Sequence, residues 1–196
     1  MARKSMNKAE ICIIEGDQGA GKTNTAVAKV TDAIEDGAST KVFTNFHLYG
    51  IRYVYADLAT IVEYLNTKLI AATGDEEVYV VIDESYIGGD ARMGMTLMTK
   101  VLTWFGSQIR KRRLHLILIA QHGRMIDWRF RFFMTEHVIC SFNEKTNYIM
   151  LNITRKGEKR KRTISYYAPR YWKYYDTNEL PQIPQKILDK ILIGTR

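Results

Sequence analysis

Short apolar runs alternate with amphipathic stretches through the first two-thirds of the chain. The stretch Glu10 to Glu15 holds Ile11-Cys12-Ile13-Ile14, too short for a helix, and predicts a buried strand. Lys22 to Glu35 places Ala26, Val27, Val30 and Ala33 at helical spacing, with Gly37 as its stop. Lys41 to Phe46 predicts a second strand. Asp57 caps a predicted helix through Leu69, with Leu58, Ile61, Val62 and Leu65 on one face. Val78 to Ile82 is apolar throughout, as in a strand buried on both faces. A long helix is predicted from about Met93 to Arg112, then strands over Leu114 to Ala120 and Glu136 to Phe142.

Strands alternating with helices imply an α/β fold with a parallel sheet and crossover helices. The pattern changes after Ser141. Tyr148 to Thr154 and Arg162 to Tyr167 predict the arms of a long antiparallel hairpin whose tip runs from Arg155 to Lys161. Gln185 to Ile193 predicts a short closing helix, with Ile187, Leu188, Ile191 and Leu192 apolar. The 196 residues suit one domain, with a core over about 8–143 and the hairpin and last helix over about 144–196.

Composition narrows the class. Hydrophobic residues are 46% and charged residues 26%, which excludes a disordered chain. No apolar run approaches the roughly 18 residues of a membrane-spanning helix. Met1 to Lys8 is basic and polar, without the apolar stretch of a secretory signal, so the expectation is a cytoplasmic protein. Cys12 and Cys140 each sit in an apolar run and read as small buried hydrophobes. His47, His115, His122 and His137 are scattered, with no zinc-ligand spacing, and His115 reads as structural. Lys and Arg number 29 against 21 Asp and Glu, a formal charge of +8 that favours an anionic partner.

The chemistry concentrates in Gly16-Asp17-Gln18-Gly19-Ala20-Gly21-Lys22-Thr23, which matches the P-loop pattern GxxxxGK[ST] between a predicted strand and a predicted helix. The glycines let backbone N–H groups turn inward around phosphates, and the helix N-terminus adds its positive dipole. Lys22 would reach the β- and γ-phosphates of ATP, and Thr23 would offer its hydroxyl to Mg²⁺. Asp83 follows the apolar strand Val78 to Ile82, where a Walker-B carboxylate meets the magnesium shell. Glu84 comes next, and a carboxylate near the γ-phosphate can orient and activate the attacking water. Gln121 ends the strand Leu116 to Ala120 and would lie beside the γ-phosphate if the strand order is 5-1-4-3-2. Nothing in the sequence reads the base, so ATP and GTP remain open.

These residues together resemble the FtsK–HerA branch of P-loop ATPases, and within it the genome-packaging ATPases of membrane-containing icosahedral viruses, such as the turreted icosahedral viruses of Sulfolobus. The run Ser107 to Gln121 carries the likeness most clearly: an arginine, a short turn, an apolar strand and a glutamine. Thr44-Asn45-Phe46-His47-Leu48 and Ile126 to Arg131 also resemble the packaging enzymes, and equally the zonula-occludens-toxin-like assembly ATPases of filamentous phages. The resemblance implies a three-layer ASCE-type P-loop NTPase with an added C-terminal β hairpin. It implies ATP hydrolysis with Mg²⁺, a homo-oligomeric ring of six subunits, and Arg110 as a finger acting on the neighbouring subunit's nucleotide, with Arg129 and Arg131 as rivals. Gln121 would be the sensor of the γ-phosphate. The implied partners are double-stranded DNA and a capsid vertex or membrane protein, and the implied location is the host cytoplasm or the virion vertex.

Two basic patches suit that reading. Arg110-Lys111-Arg112-Arg113 supplies finger candidates, and the remaining cations suit a helix end. The hairpin tip carries Arg155, Lys156, Lys159, Arg160, Lys161 and Arg162, a grip for a phosphate backbone that reads no sequence. If about five phosphates were neutralised per subunit, log affinity would fall with log salt at a slope near −4 to −5. A solvated hairpin protecting a sheet edge, or a capsid-docking tip, are the competing readings. The tyrosine pairs Tyr166-Tyr167, Tyr171-Trp172 and Tyr174-Tyr175 read as core or interface packing ahead of base stacking.

The expectation is therefore a viral ATPase that packages double-stranded DNA. The alternatives are a filamentous-phage-type assembly ATPase, a P-loop nucleoside kinase, and a structural vertex protein that binds nucleotide without turnover.

Overall fold

A computed structural model describes residues 10–37, 40–56, 77–83, 114–126 and 128–176. The predicted helices over 57–69, 93–112 and 185–193 lie outside the described residues, as do Glu84, Arg110 and the side chain of Arg129.

The isoleucine run forms β1 (Ile11–Glu15), and the P-loop leads from it into helix α1 (Lys22–Glu35). The other parallel strands are β2 (Thr40–Thr44), β3 (Val54–Tyr55), β4 (Glu77–Ile82), β5 (Leu114–Ala120) and β6 (Glu136–Asn143). A 3-10 turn (Gly123–Met125) and helix α2 (Trp128–Phe133) separate β5 from β6. Strands β7 (Tyr148–Arg155) and β8 (Arg162–Tyr167) and helix α3 (Pro169–Trp172) follow.

The eight strands of the described residues join one sheet in the order β3-β2-β4-β5-β1-β6-β7-β8. The five predicted parallel strands fall in the expected order 5-1-4-3-2, which sets β5 between the P-loop strand and the Walker-B strand. Strand β3 is an addition at the edge, two residues long and too short to show a period. The hairpin continues the sheet: β7 pairs antiparallel with β6 over its whole length, from Asn143↔Tyr148 to Glu136↔Arg155, and β8 pairs with β7. This is the three-layer P-loop NTPase architecture with an added C-terminal hairpin.

The period-2 alternation of β1 sorts its side chains between two layers. Cys12 and Ile14 face α1 and pack with Ala26, Val27 and Val30, Ile117 and Ile119 of β5, and Val138 and Cys140 of β6. Ile13 and Glu15 face the other way, toward the 3-10 turn and α2. Strand β5 is buried at every position, as a central strand covered on both faces must be. Its His115 is buried and stacked on Tyr79 at 4.5 Å between ring centroids. Burial, with Lys29 adding to it, lowers the His115 pKa to about 4, so the imidazole is neutral at physiological pH. Both cysteines are buried, and burial raises the Cys140 thiol to about 11, which leaves it unreactive.

One buried charge cluster holds the far end of the sheet. Glu136 is 1% exposed and accepts from Lys29 of α1 and from Arg155 Nε at 2.7 Å. Burial alone would raise its pKa, but the two cations outweigh burial and keep the carboxylate ionised.

Candidate functional site

The P-loop owes its shape to two close approaches. A side chain at Gly16, where φ is 155°, would stand 2.7 Å from the carbonyl oxygen of Cys140. Gly21 precedes the first turn of α1 at φ 86° and ψ 24°, and a Cβ there would overlap the Ile149 side chain of β7. Glycine avoids both the strain and the collision. The loop's start is tied to β5, because Gly16 N–H donates to the Gln121 carbonyl at 3.3 Å. Lys22 lies along the loop and donates from Nζ to the Asp17 carbonyl at 2.8 Å.

The two halves of the motif meet. Thr23 Oγ1 donates to Asp83 Oδ2 at 2.6 Å, joining the start of α1 to the end of β4. Asn45, just past β2, holds the Asp83 backbone from both sides. Its Nδ2 donates to the Asp83 carbonyl at 2.9 Å, and its Oδ1 accepts from the Asp83 N–H at 2.8 Å. The motif Thr44 to Leu48 drew attention in the sequence, but no role for Asn45 was legible there, because its partner is 38 residues away.

Around these residues opens a cleft of about 800 Å³. Gln18, Gly19, Gly21, Lys22 and Thr23 line it from the loop, Asp83 and Gln121 from the strand ends. Gln121 is exposed just past the end of β5, whose place in the sheet lies between β1 and β4. Of the expected P-loop residues, Ala20 is buried beneath the loop and Asp17 contributes its carbonyl. The oxygens of Thr23 and Asp83 are hard donors that suit Mg²⁺, which takes one or two carboxylates together with phosphate oxygens and waters. Among the described residues no three His, Cys, Asp or Glu side chains gather into a self-sufficient metal site.

The tyrosine-rich segment after β8 folds over α1. Asn24 is 1% exposed; its amide donates to the Ala168 carbonyl at 3.2 Å and its Oδ1 accepts from Tyr166 at 2.9 Å. Tyr171 donates to Asp32 at 2.8 Å, and Tyr49 N–H donates to the Tyr174 carbonyl at 2.8 Å. Tyr166, Tyr171 and Tyr175 thus pack against α1, as core packing predicts, while Tyr167 and Trp172 are exposed. Burial raises the pKa of the Tyr166 phenol, which stays protonated as a donor.

The basic tip sits at the opposite end of the sheet. Strand β7 starts beside the P-loop with Ile149 and ends at Arg155, so the tip lies about 25 Å away along an eight-residue strand. Its cations are not equivalent. Arg155 is committed to Glu136, Lys156 donates to the Phe132 carbonyl at 2.9 Å, and Arg162 pairs with Glu158 at 3.2 Å. Lys159, Arg160 and Lys161 are exposed at the turn. Arg131 is also exposed on α2 and lines a small hollow with Arg124, Glu15 and His137.

No protein-family profile matches the chain, and no curated protein sequence does. Its fold is shared with solved P-loop structures. The N-terminal domain of zonular occludens toxin from Neisseria meningitidis superposes with a TM-score of 0.63 at 17% identity, over 87% of this chain and 100% of that one. The DNA-packaging ATPase B204 of Sulfolobus turreted icosahedral virus gives 0.56 at 14% identity, over 80% and 97%. The conjugation coupling protein TcpA of pCW3, solved with ATPγS, gives 0.57 at 13%, over 96% and 66%.

Proposed function

We propose that this protein is an ATPase of the FtsK–HerA branch that hydrolyses ATP with Mg²⁺ and uses the cycle to drive double-stranded DNA into a preformed viral shell. The observation that carries the nucleotide reading is the 2.6 Å bond from Thr23 to Asp83, with Gln121 beside it at the end of the intervening strand. In that reading Lys22 and the loop N–H groups neutralise the phosphate tail, and Thr23 and Asp83 hold Mg²⁺. Glu84 would set the water for in-line attack, and Gln121 would sense the terminal phosphate. Arg110 would complete the site of a neighbour in a six-membered ring, which makes turnover depend on assembly. The motor role draws on the exposed tip cations Lys159, Arg160 and Lys161, which suit a sequence-blind hold on DNA. A capsid vertex or membrane protein would anchor the ring, in the host cytoplasm or at the virion.

The test is phosphate release with and without double-stranded DNA. DNA-stimulated hydrolysis, lost in Lys22→Ala and in Glu84→Gln, supports the motor. Phosphoryl transfer to a nucleoside would replace it with a kinase, and nucleotide binding without any turnover would leave only a structural role. The assembly-ATPase alternative shares this fold and would show instead as turnover that responds to a membrane partner.

A further inference from the structure

The cleft has a second character beyond the phosphate loop. Its wall away from the Walker-B strand is apolar and aromatic: Phe142 ends β6, Ile149 starts β7, and Trp172 and Tyr175 descend from the segment after β8. That segment is held at several points. Ala168 is bound by buried Asn24, Tyr171 by Asp32 and Tyr174 by the Tyr49 N–H. Within this anchored segment Trp172 is 46% exposed and faces the cleft. Fixing the backbone around a large ring that is left half in water prepares a surface for a flat ligand without a further ordering cost.

The geometry points to Trp172 as the stacking platform for the purine base of a nucleoside triphosphate, with Phe142 and Ile149 completing the apolar side. This deepens the phosphate-site reading and rests on it. The terminal phosphate is bounded by Thr23, Asp83 and Gln121 on the β4–β5 side of the loop. The rest of the nucleotide then leaves across Gly21 toward β6 and β7, where Ile149 touches the loop and the aromatic wall begins. A stacking surface recognises ring area, so it accepts adenine and guanine alike and favours both over the smaller pyrimidines. The reading of the base that the local motifs lacked is supplied by residues about 150 positions further along the chain.

The experiment compares two probes on the full chain by calorimetry with Mg²⁺: ATPγS, which has a base, and inorganic tripolyphosphate, which does not. Trp172→Ala is expected to weaken ATPγS roughly 5- to 100-fold and leave tripolyphosphate unchanged, since one base stack carries about that factor. Trp172→Phe should keep most of the ATPγS affinity. Unchanged ATPγS binding by Trp172→Ala overturns the platform while the phosphate site stands. Equal weakening of both probes overturns it too, because the effect would then be general disturbance of the segment. Wild-type protein that binds neither probe removes the phosphate site and the platform together.

Discussion

Asn45 spends both ends of its amide on the backbone of Asp83, so it acts on the site through its neighbour. In Asn45→Ala the Asp83 N–H and carbonyl lose their bonds to the Asn45 amide, at a cost of about 1–3 kcal/mol. On the proposed function, hydrolysis falls roughly 10- to 100-fold, as for other groups that orient a metal-binding carboxylate. A magnesium titration of turnover should show the requirement shifted to higher concentration. His115 gives a second residue-scale prediction. Its folded pKa of about 4 lies below its ordinary value of 6.5, so the unfolded chain binds a proton that the folded chain refuses. Stability is therefore fully present above pH 6.5 and declines as pH falls toward 4. The loss attributable to this imidazole approaches about 3 kcal/mol at the acid end. His115→Asn should flatten the pH dependence within that window, read as the difference from wild type in urea midpoints between pH 4 and 6.5.

At the scale of elements, the P-loop and β7 are a fitted pair. Gly21 has a backbone conformation that costs an L-residue about 1–3 kcal/mol, and its missing Cβ is the space that Ile149 fills. Gly21→Ala therefore carries two penalties, strain and collision. Adding Ile149→Ala relieves the collision and leaves the strain. The single variant is expected to be strongly destabilised, and the double variant less so than the sum of the two single changes predicts. Thermal melts of the four proteins in this cycle measure the coupling. If the two effects simply add, Ile149 does not press on the loop. The same contact explains why a hairpin that looks appended in sequence is packed against the P-loop. Its first strand supplies the loop's neighbour, and its continuation supplies the segment that packs on α1.

For the whole molecule, the length of the sheet separates the P-loop from the basic tip. The loop and its cleft lie at one end of the strands and the basic tip at the other, joined by β7 and by the Lys29–Glu136–Arg155 cluster. On the proposed DNA contact, the pairing within the tip bears on the expected salt dependence. Arg155 is paired with Glu136, and Lys156 and Arg162 are engaged near the base of the tip, leaving Lys159, Arg160 and Lys161 as the outward cations. Contact with about three phosphates per subunit would give a slope of log affinity against log salt near −3, shallower than the −4 to −5 that counting charges suggests. Fluorescence anisotropy with a short duplex from 50 to about 200 mM salt measures it. Replacing Lys159, Arg160 and Lys161 by alanine should reduce the slope toward zero and remove stimulation by DNA. The basal rate should be unaffected, because the tip is about 25 Å from the loop. A slope that survives the triple change would move the DNA grip elsewhere on the surface.

The P-loop, its flanking strand and helix, the position of Asp83 at a strand end, the parallel strands other than β3 and the two arms of the hairpin were legible in the amino-acid order. Each depends on neighbours within a few residues: glycine spacing for the loop, period for the helix, an apolar run for a buried strand. The strand order 5-1-4-3-2 was an expectation as well, but the side-chain partners of these elements were not legible. Asn45 finds Asp83, Ile149 finds Gly21 and Asn24 finds Ala168 across 38 to 144 residues of chain. The first joins residues just beyond strand ends and the second joins the loop to the start of β7, and neither an apolar pattern nor a strand order specifies that side-chain geometry. The third follows from where the chain turns after β8. A hydrophobic pattern records whether a side chain is buried, and not what it is buried against. The local order of residues thus determined the glycine-rich loop, and the packing of distant segments decided what surrounds it.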